Sequence, residues 1–160
     1  MADVARQFLD DSRSFLTQYY LPEIERVAGQ LTDEQIWARA NDASNSIGNL
    51  ILHLAGSSRH WAVEVIGGTS IGRNRDEEFA RREVIPSASL LADLRAAVGD
   101  VDRVLAGLRE SDLLEVRARG DEEYTVLWCV YHIVEHFSMH TGQILSMAKA
   151  MVGDLMQPVR

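Results

Sequence analysis

The sequence predicts an all-α protein, a four-helix bundle with a long crossover connection. Three observations carry that expectation. Apolar residues recur at spacings near three, four and seven through four long stretches, the period of helices with one buried stripe. Polar connections separate the stretches, and the middle one, GTSIGRNRDEEFARREVI, is the longest. No strand pattern competes, since only Glu115 to Arg119 and Glu123 to Val126 can pair as short extended pieces.

The first helix is expected over about residues 3–29, with Phe8, Phe15, Leu16, Tyr19 and Val27 on its apolar stripe. Pro22 should kink or split it, because proline lacks the N–H that an interior helix position needs. Thr32 with Gln35 three residues on forms a capping box for the short turn LTDEQIWAR. The second helix covers about 46–66, with Ile47, Leu50, Ile51, Leu54, Trp61 and Val65 on one face, and Gly67-Gly68 stops it. The polar middle segment up to Pro86 reads as a loop. Ser87 should cap a third helix over about 88–109, in which Leu91, Leu94, Val98, Val101, Leu105 and Leu108 are in register. Thr125 caps the fourth, about 126–151, and Gly153 ends it. The long middle connection favours a bundle with a crossover over a simple up-down-up-down arrangement.

The 160 residues, 46% hydrophobic and 25% charged, fit a single soluble domain over 1–160. A net charge of −8 argues against nucleic acid as partner. The basic runs at 81–83 and 117–119 are short and flanked by acids. One cysteine, Cys129, excludes an intramolecular disulfide framework and suits a reducing compartment. No run approaches the 18 or more apolar residues of a membrane span. The segment MADVARQFLDDSRSF carries acids without a long apolar core, unlike a secretory signal. A cytoplasmic location is expected.

The five histidines are the sequence's main statement about function. They fall in two places, His53 and His60, then His132, His136 and His140. A step of four in a helix turns about 400°, so the last three share one face, one turn apart. Two imidazoles so placed can reach one metal ion, and a bundle packing the second helix beside the fourth can bring His53 opposite them. Three histidines leave positions open for water or substrate, as in a reactive rather than a structural site. Neutral imidazole suits zinc, nickel, copper or iron.

The plainer reading is that His-x-x-x-His is a loose pattern and that such histidines are structural. His60, beside Arg59, is read that way. His132 lies about 12 Å along the axis from His140, which makes it pocket lining or an outer-shell group. A metalloprotease needs glutamate directly after the first histidine, where this chain has Phe137. Di-iron bundles need Glu-x-x-His, which is absent. Cys129 reads as a buried small residue, Gly142 as a place where another helix comes close, and Trp37, Trp61 and Trp128 as core or pocket wall.

Two segments carry a resemblance, NSIGNLILHLAGSSRHW at 45–61 and HIVEHFSMHTGQI at 132–144. The chain resembles the DinB/YfiT-like superfamily of metal-binding four-helix proteins. The resemblance implies that His53, His136 and His140 are the metal ligands. Thr141 stands where the family often has arginine, which bears on no ligand. It also implies a divalent transition metal, zinc or nickel first, and a small-molecule substrate. The superfamily spans transferases that use bacillithiol or mycothiol, a mycothiol-dependent isomerase and hydrolases. The expected function is therefore a metal-dependent S-transferase of a low-molecular-weight thiol. A metal-dependent hydrolase and a non-catalytic metal- or ligand-binding stress-response protein stay open as alternatives.

Resemblance also implies a homodimer. The doublets Leu90-Leu91 and Val104-Leu105, with Phe15-Leu16 and Tyr19-Tyr20-Leu21, widen the apolar stripes in keeping with a second contact surface.

Overall fold

The computed structural model describes residues 4–153, so the expected helix start at residue 3 lies outside it. Four helical rods form the bundle. The first is α1 (Val4–Ser14), a π-helical stretch (Phe15–Tyr20) and α2 (Leu21–Ala28). Pro22 does not split this rod. The N–H of Leu21 bonds the Leu16 carbonyl five residues back, so the wider π turn takes up the distortion that proline brings to an ordinary helix.

The short helix α3 (Asp33–Trp37) begins with the expected Thr32–Gln35 capping box. It sets Trp37 against Gly48, where a Cβ would come within 2.8 Å of the indole. The indole N–H donates to the Ile85 carbonyl at 2.9 Å. The second rod, α4 (Ile47–Arg59) with a π-helical extension (His60–Ile66), ends where Gly68 takes a positive φ of 72°.

The polar middle segment is not all loop. It contains α5 (Arg75–Ala80), capped by the Asn74 side chain and packed on α4. The third rod, α6 (Ser87–Ala106), starts at Ser87 itself. Ser87 is not its cap: its backbone N–H donates to the Asp33 carboxylate at 2.8 Å, so α3 satisfies one of the free donors at that end. A 3-10 turn (Glu110–Leu114) leads to the hairpin β1 (Val116–Arg119) and β2 (Glu122–Thr125), with Val116 paired to Thr125 and Gly120 in the turn. The two short extended pieces of the sequence do pair. Thr125 then caps the fourth rod, α7 (Val126–Val152), as expected.

In the bundle α4 packs against both α6 and α7, and the α1–α2 rod touches α6 and α7 from the other side. The shared core includes Leu9, Leu16, Ile24, Ile51, Leu54, Leu94, Leu105, Ile133 and Phe137. The α6 doublets are absorbed here: Leu90 and Leu105 are buried, and Leu91 and Val104 pack on the core edge. On the first rod, Phe15 and Tyr19 stay exposed. Gly142 brings no helix close, since a Cβ there would meet nothing within 4 Å.

Candidate metal centre

Side-by-side packing of α4 and α7 brings together three of the five histidines. His53 Nε2 lies 3.0 Å from His136 Nε2, which lies 3.1 Å from His140 Nε2. The ligand atoms of all three fall within 4.8 Å of one another. Local sequence explains why they point inward. Ser46 and Asn49 form a reciprocal capping box that fixes the start of α4, and His53 follows one turn later on its buried side. On α7, His136 and His140 stand one turn apart, flanked on the core side by Ile133, Phe137 and Ile144.

What bonds the far side of each ring decides whether a metal fits. His53 Nδ1 is 2.9 Å from Glu78 Oε2, and His140 Nδ1 is 2.6 Å from Gln143 Oε1. Glu78 and the Gln143 oxygen both accept and so favour a proton at Nδ1 and a lone pair at Nε2, although Arg73 Nη2 also points at His53 Nδ1 from 3.2 Å. Lone pairs converging in a buried space repel one another unless a cation sits between them. Bonds of about 2.0–2.1 Å to a tetrahedral zinc would separate the nitrogens by about 3.3 Å, close to the 3.0 and 3.1 Å that separate His136 from His53 and His140. The residues fit a divalent transition metal.

Electrostatics favour the neutral rings that ligation needs. Burial, helped by His140 and His53 nearby, pushes His136 down to about 3. Burial also lowers His140, against the opposing bond from Gln143. A histidine of the unfolded chain takes up its proton near pH 6.5, and the folded His136 does so only near 3. The unfolded state therefore binds more protons across that interval, and stability is lost as pH falls from 6.5 toward 3. The urea midpoint of metal-free protein is expected to drop between pH 7.5 and 5.5; a midpoint that rises would contradict this electrostatic picture.

The remaining histidines stand outside the triad. His60 spends both ring nitrogens, on Glu64 at 2.9 Å and on the Arg119 guanidinium at 3.1 Å. His132 lies 5.4 Å from His136, ring to ring, and stacks on Trp128 at 4.9 Å, which stacks on Tyr124 at 4.3 Å. Trp61 presents its edge to Tyr124 and His132. An aromatic wall thus runs from the hairpin to the triad, which assigns Trp61 and Trp128 to the wall and Trp37 to the core. Cys129 is buried, and burial raises its thiol to about 11, which disfavours the thiolate a nucleophile needs. Glu135 is turned away, 3.5 Å from His132.

Sequence reasoning missed Arg73, Glu78 and Phe79, all from the middle segment. Arg73 clamps Glu78 through Nε–Oε1 at 2.7 Å and Nη2–Oε2 at 2.8 Å. Burial raises the Glu78 carboxyl, yet the bonds from Arg73 and His53 outweigh that and hold it below the ordinary glutamate value. Phe79 packs on His53 with ring centres 4.5 Å apart. Only Gln143 left a readable signal, three residues past His140 on the same helix.

Comparison with known proteins bears on the family and the fold. Residues 7–147 match the family model described as mycothiol-S-transferase. No curated protein matches the chain in sequence. Among solved structures, a DinB-like protein of Bacillus subtilis, YjoA, superposes with a TM-score of 0.69 at 18% identity, covering 96% of both chains. A DinB-like protein of Bacillus cereus gives 0.68 at 14% identity over 89% of this chain and 91% of its own. A conserved protein of Enterococcus faecalis gives 0.65 at 18% identity over 96% and 98%. At these identities the likeness speaks for the fold, and the family match covers nearly all of the described residues. The chain belongs to the mycothiol-S-transferase family, and it shares the fold of the DinB-like proteins.

Proposed function

We propose that this protein is a metal-dependent S-transferase of a low-molecular-weight thiol, with the metal held by His53, His136 and His140. The observation that carries the metal site is the convergence of three Nε2 atoms, with the rings of His53 and His140 oriented from behind. The thiol comes from family membership. A divalent ion held there, zinc or nickel by the donor chemistry, lowers the pKa of a thiol it binds so that the thiolate forms at neutral pH.

Protein residues supply the rest. His53, His136 and His140 supply three protein donors, which leaves coordination positions for water or substrate. Glu78 is the only carboxylate bonded to the triad among the described residues, and both of its oxygens are taken by Arg73 and His53. Among the described residues no carboxylate with an unengaged oxygen is bonded to the triad, which suits a thiol, acidic enough to ionise on a metal alone. In the transfer the sulfur attacks an electrophilic centre, its proton passes to solvent, and the leaving group departs with the bonding pair. The wall of His132, Trp128 and Tyr124 offers a planar surface for the apolar part of the electrophile.

The test is to incubate zinc- or nickel-loaded protein with mycothiol, bacillithiol or glutathione and a panel of electrophiles. Thiol-dependent conjugation that His136→Ala abolishes supports the proposal. Turnover of an ester or amide with no thiol effect would make the protein a hydrolase, and tight metal binding without turnover would make it a binding protein.

The proposal extends to location and assembly. Among the described residues no helix is long and apolar enough to cross a membrane, and a reactive thiol co-substrate suits the cytoplasm. Phe15 and Tyr19 on the first rod, and Tyr131 and Met139 on α7, are exposed apolar side chains on neighbouring helices, so this face is the proposed homodimer contact. Light scattering at micromolar concentration should give twice the 17.9 kDa of one chain. A mass of one chain would end the dimer proposal.

A further inference from the structure

We propose that Glu78 is the positioning residue of the metal centre, and that through it metal binding and the docking of residues 71–82 on the bundle are coupled. This rests on the metal site proposed above and is independent of the thiol chemistry.

The middle segment has little else to hold it. Helix α5 has six residues and buries none of them, and a helix so short is not stable by itself. Its attachments are polar and gather at one place. The Asn49 side chain donates to the carbonyls of Glu78 at 2.7 Å and Arg81 at 3.2 Å. Arg39 donates to the Arg81 carbonyl at 3.1 Å. Phe79 and the Glu78 carboxylate both lie on His53.

The bundle is shaped to receive that carboxylate. Gly56 stands three residues after His53 on α4, and a Cβ there would fall 2.1 Å from Glu78 Oε1. Glycine in a helix interior weakens the helix; here it makes room for the acid. The Glu78 and Arg73 side chains are 10% and 11% exposed. Burying an ion pair is unfavourable unless its remaining hydrogen-bonding capacity is met, and the ring of His53 meets it.

Coupling follows from the tautomer of His53. A metal at Nε2 requires the ring proton at Nδ1, where it is donated to Glu78. In the other tautomer the Nδ1 lone pair would face the carboxylate at 2.9 Å, relieved only by Arg73 Nη2 at 3.2 Å. Metal and docked carboxylate therefore favour the same form of the ring, and each must strengthen the other by the same factor.

The experiment measures zinc affinity, by competition with a chelator and with no thiol present, for wild type, Glu78→Ala, Glu78→Gln and Gly56→Ala. Hydrogen exchange over residues 71–82 is followed with and without zinc, and the His53 ring by 15N NMR. Glu78→Ala and Gly56→Ala should each bind zinc about 10–100-fold more weakly, and Glu78→Gln, which keeps an acceptor, should lose less. Zinc should slow exchange over 71–82 in wild type but not in Glu78→Ala. In metal-free Glu78→Ala the His53 proton should move toward Nε2. Gly56→Ala removes no polar group, so its loss would report the seat rather than a missing charge. Wild-type zinc affinity in Glu78→Ala, or exchange over 71–82 indifferent to zinc, would overturn the inference. Wild-type affinity in His136→Ala would instead overturn the metal site beneath it.

Discussion

Alanine at His53, His136 or His140 is expected to abolish stoichiometric metal binding, while His60→Ala and His132→Ala keep it. Each of the first three removes one of only three protein donors, and the two left behind make a weak, easily competed site. His60 already spends both nitrogens on Glu64 and Arg119, so its loss touches no donor. His132 is a ring contact of His136 rather than a member of the cluster, so at most a 10–100-fold loss is expected there. Calorimetric titration of metal-free protein with zinc separates the cases. If His132→Ala strips the metal while His140→Ala keeps it, the register of α7 over the site is wrong by one turn.

The largest effect on stability is expected at Phe137. Its ring is fully buried, directly follows His136, and stacks with Tyr20 of the first rod at 6.4 Å. It thus ties α7 to the first rod behind the candidate centre. Phe137→Ala should cost about 3–5 kcal/mol from lost burial and the cavity left behind. For a chain of this size that lowers the melting temperature by on the order of 10 °C. Urea unfolding of metal-free protein measures it, and a change under about 1 kcal/mol would mean that the core closes over the gap.

The four rods were legible because each buries a stripe, and a stripe writes a period into the sequence. Leu50, Ile51 and Leu54, or Ile133 and Phe137, declare their face without any knowledge of a neighbour. Capping was legible for the same reason, since Thr32 with Gln35 and Thr125 with the N–H of Trp128 act within three residues. Ser87 shows the limit of that logic. It has the right chemistry for a cap, but a carboxylate 54 residues away does the work.

Helix α5 was illegible because it has no buried stripe to leave a period. Its place is set by polar bonds to residues far along the chain, and Glu78 reaches a histidine 25 residues earlier. Glycine was ambiguous in the same way. Gly142 and Gly56 both sit inside helices, yet only Gly56 faces a neighbour that a Cβ would displace. Pro22 misled because its usual consequence assumes an α-helical turn, and the chain used a π turn instead. The triad was half legible. The spacing of His136 and His140 is local, whereas His53 was a candidate that only the packing of α4 on α7 could place beside them.

X-ray absorption at the zinc edge, on zinc-loaded protein purified without a histidine tag, tests the three-histidine centre most directly. The account predicts three imidazole nitrogens at about 2.0 Å, and a sulfur neighbour that appears when mycothiol is added. A closed shell of four protein ligands that mycothiol leaves unchanged, or a shell made of carboxylate oxygens, would contradict it.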